Sequence, residues 1–226
     1  MASYLKMLFK LQNLTIKEDL LHAYQCKRQV EMEAYTLTIL FMNLLLFLSN
    51  IHTTLAAVST KNYKTYIKTV CSSTIYPQVC YGSLSPYASK IKANPQKLCN
   101  TALSVAITAA RSASSTISNL SKKKGLTRSE AAVIKDCIEN IKNTVDELKD
   151  SLKEMGNLGG SDVQLKIDNI KTWVSAAITD EGTCTDGFSG QRVSTTVRNK
   201  IRVSILNVAR PTSNALSLIN NLYSNS

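Results

Sequence analysis

Apolar residues recur at three- and four-residue spacings in four long stretches of the chain, and this repeat is the strongest constraint on what it can fold into. In the first stretch Asn94-Pro95 reads as an N-cap followed by proline at N1. Leu98, Ala102, Val105, Ala109, Ala113, Ile117 and Leu120 then share one helix face. Lys122-Lys123-Lys124-Gly125 closes it, with cations at the negative end of the dipole and Gly125 as the left-handed C′ residue. Thr127-Arg128-Ser129-Glu130 is a capping box that opens a second helix through Ala131, Ile134, Ile138, Ile141, Val145, Leu148, Leu152 and Met155. Gly156 ends it. Ser161-Asp162-Val163-Gln164 reads as another capping box, leading Val163, Ile167, Ile170, Val174 and Ala177. The fourth stretch holds Val193, Val197, Ile201, Ile205, Val208, Leu216, Ile219 and Leu222, and Pro211 should kink or break it near Ala209 and Arg210.

Strand patterns are nearly absent, so the fold class is all-α. Four amphipathic helices joined by short loops form an antiparallel up-down four-helix bundle over residues 94–226. Small residues such as Ala106, Ala109, Ala110, Ala113, Ala176 and Ala177 imply close approach between helices. Residues 60–93 are shorter and broken by Pro77, Gly82 and Pro86, which predicts short helices in an arm outside the bundle.

Ahead of the arm, residues 35–49 form an apolar run too short to span a bilayer comfortably. Small residues follow, in Thr54-Leu55-Ala56-Ala57-Val58-Ser59. This reads as a secretory h-region with cleavage after Ala56 or Ser59, so residues 1–59 are a leader and the mature form has no stable membrane span. Residues 1–31 are long for an n-region. A leader starting at Met32 has an ordinary length, which makes residues 1–31 an over-extended start or a poorly ordered appendage.

Both histidines, His22 and His52, fall within the leader. Without them the mature chain has no imidazole for a triad or a zinc site. No phosphate loop, metal-ligand cluster or nucleophile elbow appears, so no enzyme, metal or cofactor is expected. Carboxylates at Asp136, Glu139, Asp146 and Glu147 alternate with Lys135, Lys142 and Lys149 as intrahelical ion pairs would. Residues 60–226 carry 22 basic and 12 acidic residues, a net charge of +10. Nucleic acid is excluded as a partner by export and by the lack of a reader motif.

Five cysteines follow the leader: Cys71, Cys80, Cys99, Cys137 and Cys184. In an oxidising compartment an odd count means two bridges and one free thiol. A bridge between Cys71 and Cys80 would tie the arm into a hairpin, and one between Cys137 and Cys184 would close a loop of about 48 residues. Spacing alone leaves the pairing open. Cys99, beside Leu98, reads as a buried free thiol.

The flanking residues say more. Ile67-Lys68-Thr69-Val70-Cys71-Ser72-Ser73-Thr74-Ile75-Tyr76-Pro77-Gln78-Val79-Cys80 closely resembles the opening signature of the plant invertase and pectin methylesterase inhibitor family. Asp136-Cys137-Ile138-Glu139 resembles its second signature, and Trp173 to Thr179 with Thr183-Cys184-Thr185-Asp186-Gly187-Phe188 its third. Ser213-Asn214-Ala215-Leu216-Ser217-Leu218-Ile219 is similar to its C-terminal stretch. The resemblance runs from about residue 61 to 224. It implies an N-terminal helical hairpin, a four-helix bundle, and the pairings Cys71–Cys80 and Cys137–Cys184.

It also implies a secreted inhibitor of the apoplast, cell wall or vacuole. The chain stops at Ser226 without a catalytic domain, which suits a free-standing inhibitor. Of the family's two targets, invertase inhibitors typically carry Pro-Lys-Phe, which is absent here, so a pectin methylesterase is the expected partner and acid invertase the alternative. The resemblance implies a one-to-one complex that covers the pectin-binding cleft. It carries partner contacts onto Glu139, Asn143, Thr183 and Asp186. This chain has Asn143 where the family often has Asp, and Ile141 where it often has Tyr. Thr183 and Asp186 also have the spacing of a capping box. The basic charge suits steering toward an acidic enzyme surface, or a wall module holding acidic pectin through Lys122, Lys123 and Lys124. Asn119-Leu120-Ser121 is a glycosylation sequon near the end of the first bundle helix.

Overall fold

The computed structural model describes residues 1–224; the side chains of many residues between 2 and 58, including His22 and His52 and the suggested cleavage position Ala56, lie outside the described residues. The chain divides into two compact units, Met1–Ala57 and Val58–Ser226. Helix α1 is assigned over Ala2–Cys71, so residues 58–71 belong to the second unit. In the first unit the described side chains of residues 35–47 are exposed, Phe41 and Phe47 among them. No helix among the described residues is long and apolar enough to cross a membrane.

Every described element of the second unit is helical: α2 (Pro77–Leu84), a 3-10 turn (Ser85–Tyr87), α3 (Ala88–Ile91), α4 (Pro95–Ser121), α5 (Arg128–Gly156), α6 (Val163–Asp186) and α7 (Thr195–Leu222). Helix α4 starts where the sequence placed it, with the Asn94 side chain accepting from the Lys97 amide at 2.8 Å. Helix α5 starts on the Thr127–Glu130 capping box. Each of the four long helices packs against two others, α5 against α4 and α6, α7 against α4 and α6. The up-down bundle follows, because short loops can only join antiparallel neighbours.

Two linked clusters fill the bundle. Leu103, Leu148, Ile170 and Ile219 belong to one; Ile117, Ile134, Ile141 and Ile201 belong to the other, at the end where the α4–α5 loop lies. Ala106, Ala110, Ala113 and Ala177 are buried at small-residue positions, which lets the backbones approach.

Four local expectations are corrected. Gly125 does adopt a left-handed conformation (φ 82°), but in the loop; Lys122 is the C-cap of α4. The Ser161–Gln164 capping box does not form: the N-cap of α6 is Asp162, which makes no side-chain capping bond and whose backbone (φ −107°, ψ 22°) is not extended. Its carboxylate is taken by Lys166 at 3.1 Å, one turn along, while Gln164 donates to Asp168. Pro211 does not break α7. The carbonyl it deprives of a donor is that of Asn207, which sits on the exposed face where water can reach it.

The fourth correction concerns the arm, which is not outside the bundle. Ile67, Leu84, Ala88 and Ile91 are buried in the same cluster as Leu98 and Leu103 of α4. Cys71 and Cys80 are joined. The loop between them is pinned to α7 by Asn214, whose side chain accepts from the Tyr76 amide and donates to the Tyr76 carbonyl, both at 2.9 Å. Asn221 adds a bond to the Ser73 hydroxyl at 3.0 Å.

Candidate partner-binding face

The α5–α6 contact is fixed at two levels. Cys137 and Cys184 form a disulfide with their Cα atoms 4.6 Å apart. Seven residues further along α5, the buried Thr144 hydroxyl lies 3.4 Å from the Ala177 carbonyl, seven residues back along α6. Antiparallel register therefore runs unbroken between these points. It sets Glu139 two residues past the bridge on one helix and Thr183 next to it on the other. Glu139, Asn143, Thr183 and Asp186 are all exposed. Glu139 and Asn143 are one turn apart on α5, and Thr183 and Asp186 nearly one turn apart on α6, so each pair shares a helix face. Thr183 is not a cap: its hydroxyl donates to the Thr179 carbonyl at 2.9 Å inside α6.

Asn143 reaches across the seam. Burial pushes the Asp180 carboxyl of α6 up from its ordinary value, and the nearby Asn143 amide pulls it part of the way back. Glu147, one turn beyond Asn143, is pushed up to about 7, first by burial and then by the Asp180 charge. An aspartate at 143 would bring a third carboxylate to this group; the amide instead neutralises part of the repulsion.

Behind the seam lies Glu181, 1% exposed. Its carboxyl is pushed up to about 8, chiefly by burial; the Thr212 hydroxyl pulls it part of the way back, and Asp180 and Glu147 add repulsion. Thr212 Oγ1 of α7 lies 2.9 Å from Glu181 Oε1 and 2.8 Å from the Val208 carbonyl. The hydroxyl has one proton for two acceptors. A protonated Glu181 resolves this by donating to Thr212, which donates on to Val208. Beside Asp186 a groove of about 680 Å³ between α6 and α7 brings Gly182, Arg198 and Arg202 to the same face. Sequence reasoning missed these two arginines, although their four-residue spacing on the outer stripe of α7 was visible.

The remaining predicted positions are quieter. Cys99 is fully buried, and burial pushes its thiol up to about 12, so it is not a nucleophile near neutral pH. Asn119 is exposed in the last turn of α4. Lys123 neighbours Lys200 of α7, which lowers its ammonium from the ordinary value. Among the described residues no group of acidic, Cys or His side chains could hold a metal ion.

The family model described as plant invertase/pectin methylesterase inhibitor matches residues 65–218. The chain belongs to this family. The carrot (Daucus carota) "21 kDa protein" is 44% identical over 74% of this chain and 88% of its own length. Two Arabidopsis thaliana proteins, pectinesterase inhibitor 10 and pectinesterase inhibitor 4, are 46% and 41% identical over 69% and 73% of this chain, covering 50% and 84% of theirs. A crystal structure of a mutant pectin methylesterase inhibitor from Arabidopsis superimposes with a TM-score of 0.52 at 20% identity, over 68% of this chain and 95% of that one, and shares its helical fold.

Proposed function

We propose that this chain is a secreted, non-catalytic inhibitor that binds a pectin methylesterase one-to-one and blocks its pectin-binding cleft. The observation that carries the reading is the 41% identity to a pectinesterase inhibitor across 84% of that protein's length. The Cys137–Cys184 seam supports it physically. A disulfide and continuous register hold Glu139, Asn143, Thr183 and Asp186 on a rigid two-helix face, so little backbone ordering is left to pay on docking. In this reading Glu139 and Asp186 meet donors on the enzyme, and Asn143 holds Asp180 in place. The net +10 of residues 60–226 speeds encounter with an acidic enzyme surface. Residues 1–59 are the leader removed on export, Met32 begins the signal peptide, and the extracellular wall is the place of action.

The test is a parallel titration of purified residues 60–226 against a pectin methylesterase and an acid invertase. Stoichiometric loss of methylesterase activity, with an on-rate that falls as salt rises, is expected. Inhibition of invertase alone would overturn the reading. The Glu139→Lys variant should weaken methylesterase inhibition while leaving the melting temperature unchanged; unchanged inhibition would remove Glu139 from the contact.

A further inference from the structure

A second groove lies on the other side of the molecule's chemistry, away from any proposed enzyme contact. It has a volume of about 860 Å³ and runs along α4, walled by the arm. Val105 and Ala109, which periodicity assigned to the core, are only half-buried and form its floor. Two left-handed residues, Lys92 (φ 51°) and Ala93 (φ 54°), turn the chain between α3 and α4 so that Lys90 and Lys97 line the same groove. Tyr87 of the 3-10 turn stands at its wall with 43% of its surface exposed.

The polar lining is biased toward acceptors. The hydroxyls of Ser104 and Thr108 each donate back to the carbonyl four residues earlier, at 2.8 Å, which uses their protons and leaves lone pairs free. Asn100 also lines the groove, but its Oδ1 atom is buried beneath the surface and is not offered to a ligand. A ligand that satisfies this groove has many hydroxyl donors, an apolar ring face for Tyr87, and negative charge for Lys90 and Lys97. From Lys97 to Ser112 the lining extends about 22 Å along the helix, room for several pyranose rings end to end.

We propose that this groove binds an acidic oligosaccharide, a short chain of uronic acid residues. Sugar hydroxyls donate to Ser104 and Thr108, one ring lies against Tyr87, and carboxylates pair with Lys90 and Lys97. The site is independent of the inhibitory face, so its failure would leave that reading untouched.

The experiment is calorimetric titration of residues 60–226 with a galacturonic acid tetramer, its methyl-esterified counterpart, and a polyglutamate of equal charge. Saturable binding of the acidic tetramer is expected, with weaker binding of the other two. Lys90→Gln combined with Lys97→Gln should weaken it about tenfold, as loss of two exposed charge pairs implies. Tyr87→Ala should weaken it severalfold with the far-ultraviolet spectrum unchanged. Replacing Lys122, Lys123 and Lys124 with Gln should leave it intact. Absence of binding, equal affinity for polyglutamate, or binding that depends on the Lys122–Lys124 cluster instead of Lys90 and Lys97 would each overturn the proposal.

Discussion

Glu181→Gln isolates the pH response of the bundle. In the folded chain the Glu181 carboxyl titrates at about 8, against an ordinary value of 4.5. The folded state therefore holds the proton more tightly than the unfolded state. Stability is fully present below pH 4.5 and falls as pH rises through 8, because the unfolded chain can release a proton that the native chain must keep. A shift of this size corresponds to a loss on the order of 5 kcal/mol across that window, at about 1.4 kcal/mol per unit. That is comparable to the total stability of many domains of this size. The cause is local: Oε2 is buried without a partner, and neither ion pair among the described residues involves Glu181. Its charged neighbours, Asp180 beside it on α6 and Glu147 across the seam on α5, are also acids. Glutamine reproduces the protonated acid, since its amide can donate to Thr212 while Thr212 donates to Val208. Urea unfolding of residues 60–226 at pH 5 and pH 8 reads the effect. The wild type should lose several kcal/mol between the two, and the variant only what remains from Glu147 and Asp180. Equal pH dependence in both proteins, or a wild type more stable at pH 8, would refute the argument.

Glu130 acts in the opposite direction: bonds from Ser194 and Thr127 hold its carboxyl down at about 2, below its ordinary 4.5, so its contribution is present above pH 4.5 and lost as pH falls toward 2. An acid titration followed by circular dichroism should show Glu130→Gln with a shallower loss of structure in that window. Replacing Cys137 and Cys184 together with Ser should cost about 4 kcal/mol in urea unfolding, from the entropy of a loop of 47-residue separation. Asn214→Ala removes both bonds to Tyr76, an expected loss of about 2 kcal/mol, and hydrogen exchange at residues 72–76 should accelerate selectively.

The sequence by itself determined the helices and where most of them start. Asn94-Pro95 and the Thr127–Glu130 box are local chemistry, completed within one turn, and nothing distant is needed to form them. It also carried the family's spacing around Cys137 and Cys184, and through it the proposed contact face. What required the third dimension was everything that depends on which element lies opposite. Val105 and Ala109 repeat like core residues, yet they are only half-buried and floor a groove. Asp162 has a capping residue's identity, but Lys166 claims its carboxylate first. Glu181 looks like any charged helix residue in the sequence; only its burial against Thr212, with Asp180 and Glu147 beside it, makes it hold a proton. Capping and periodicity are short-range properties of one helix. Burial, register and pKa belong to pairs of helices, and those pairs exist only once the chain has folded back on itself.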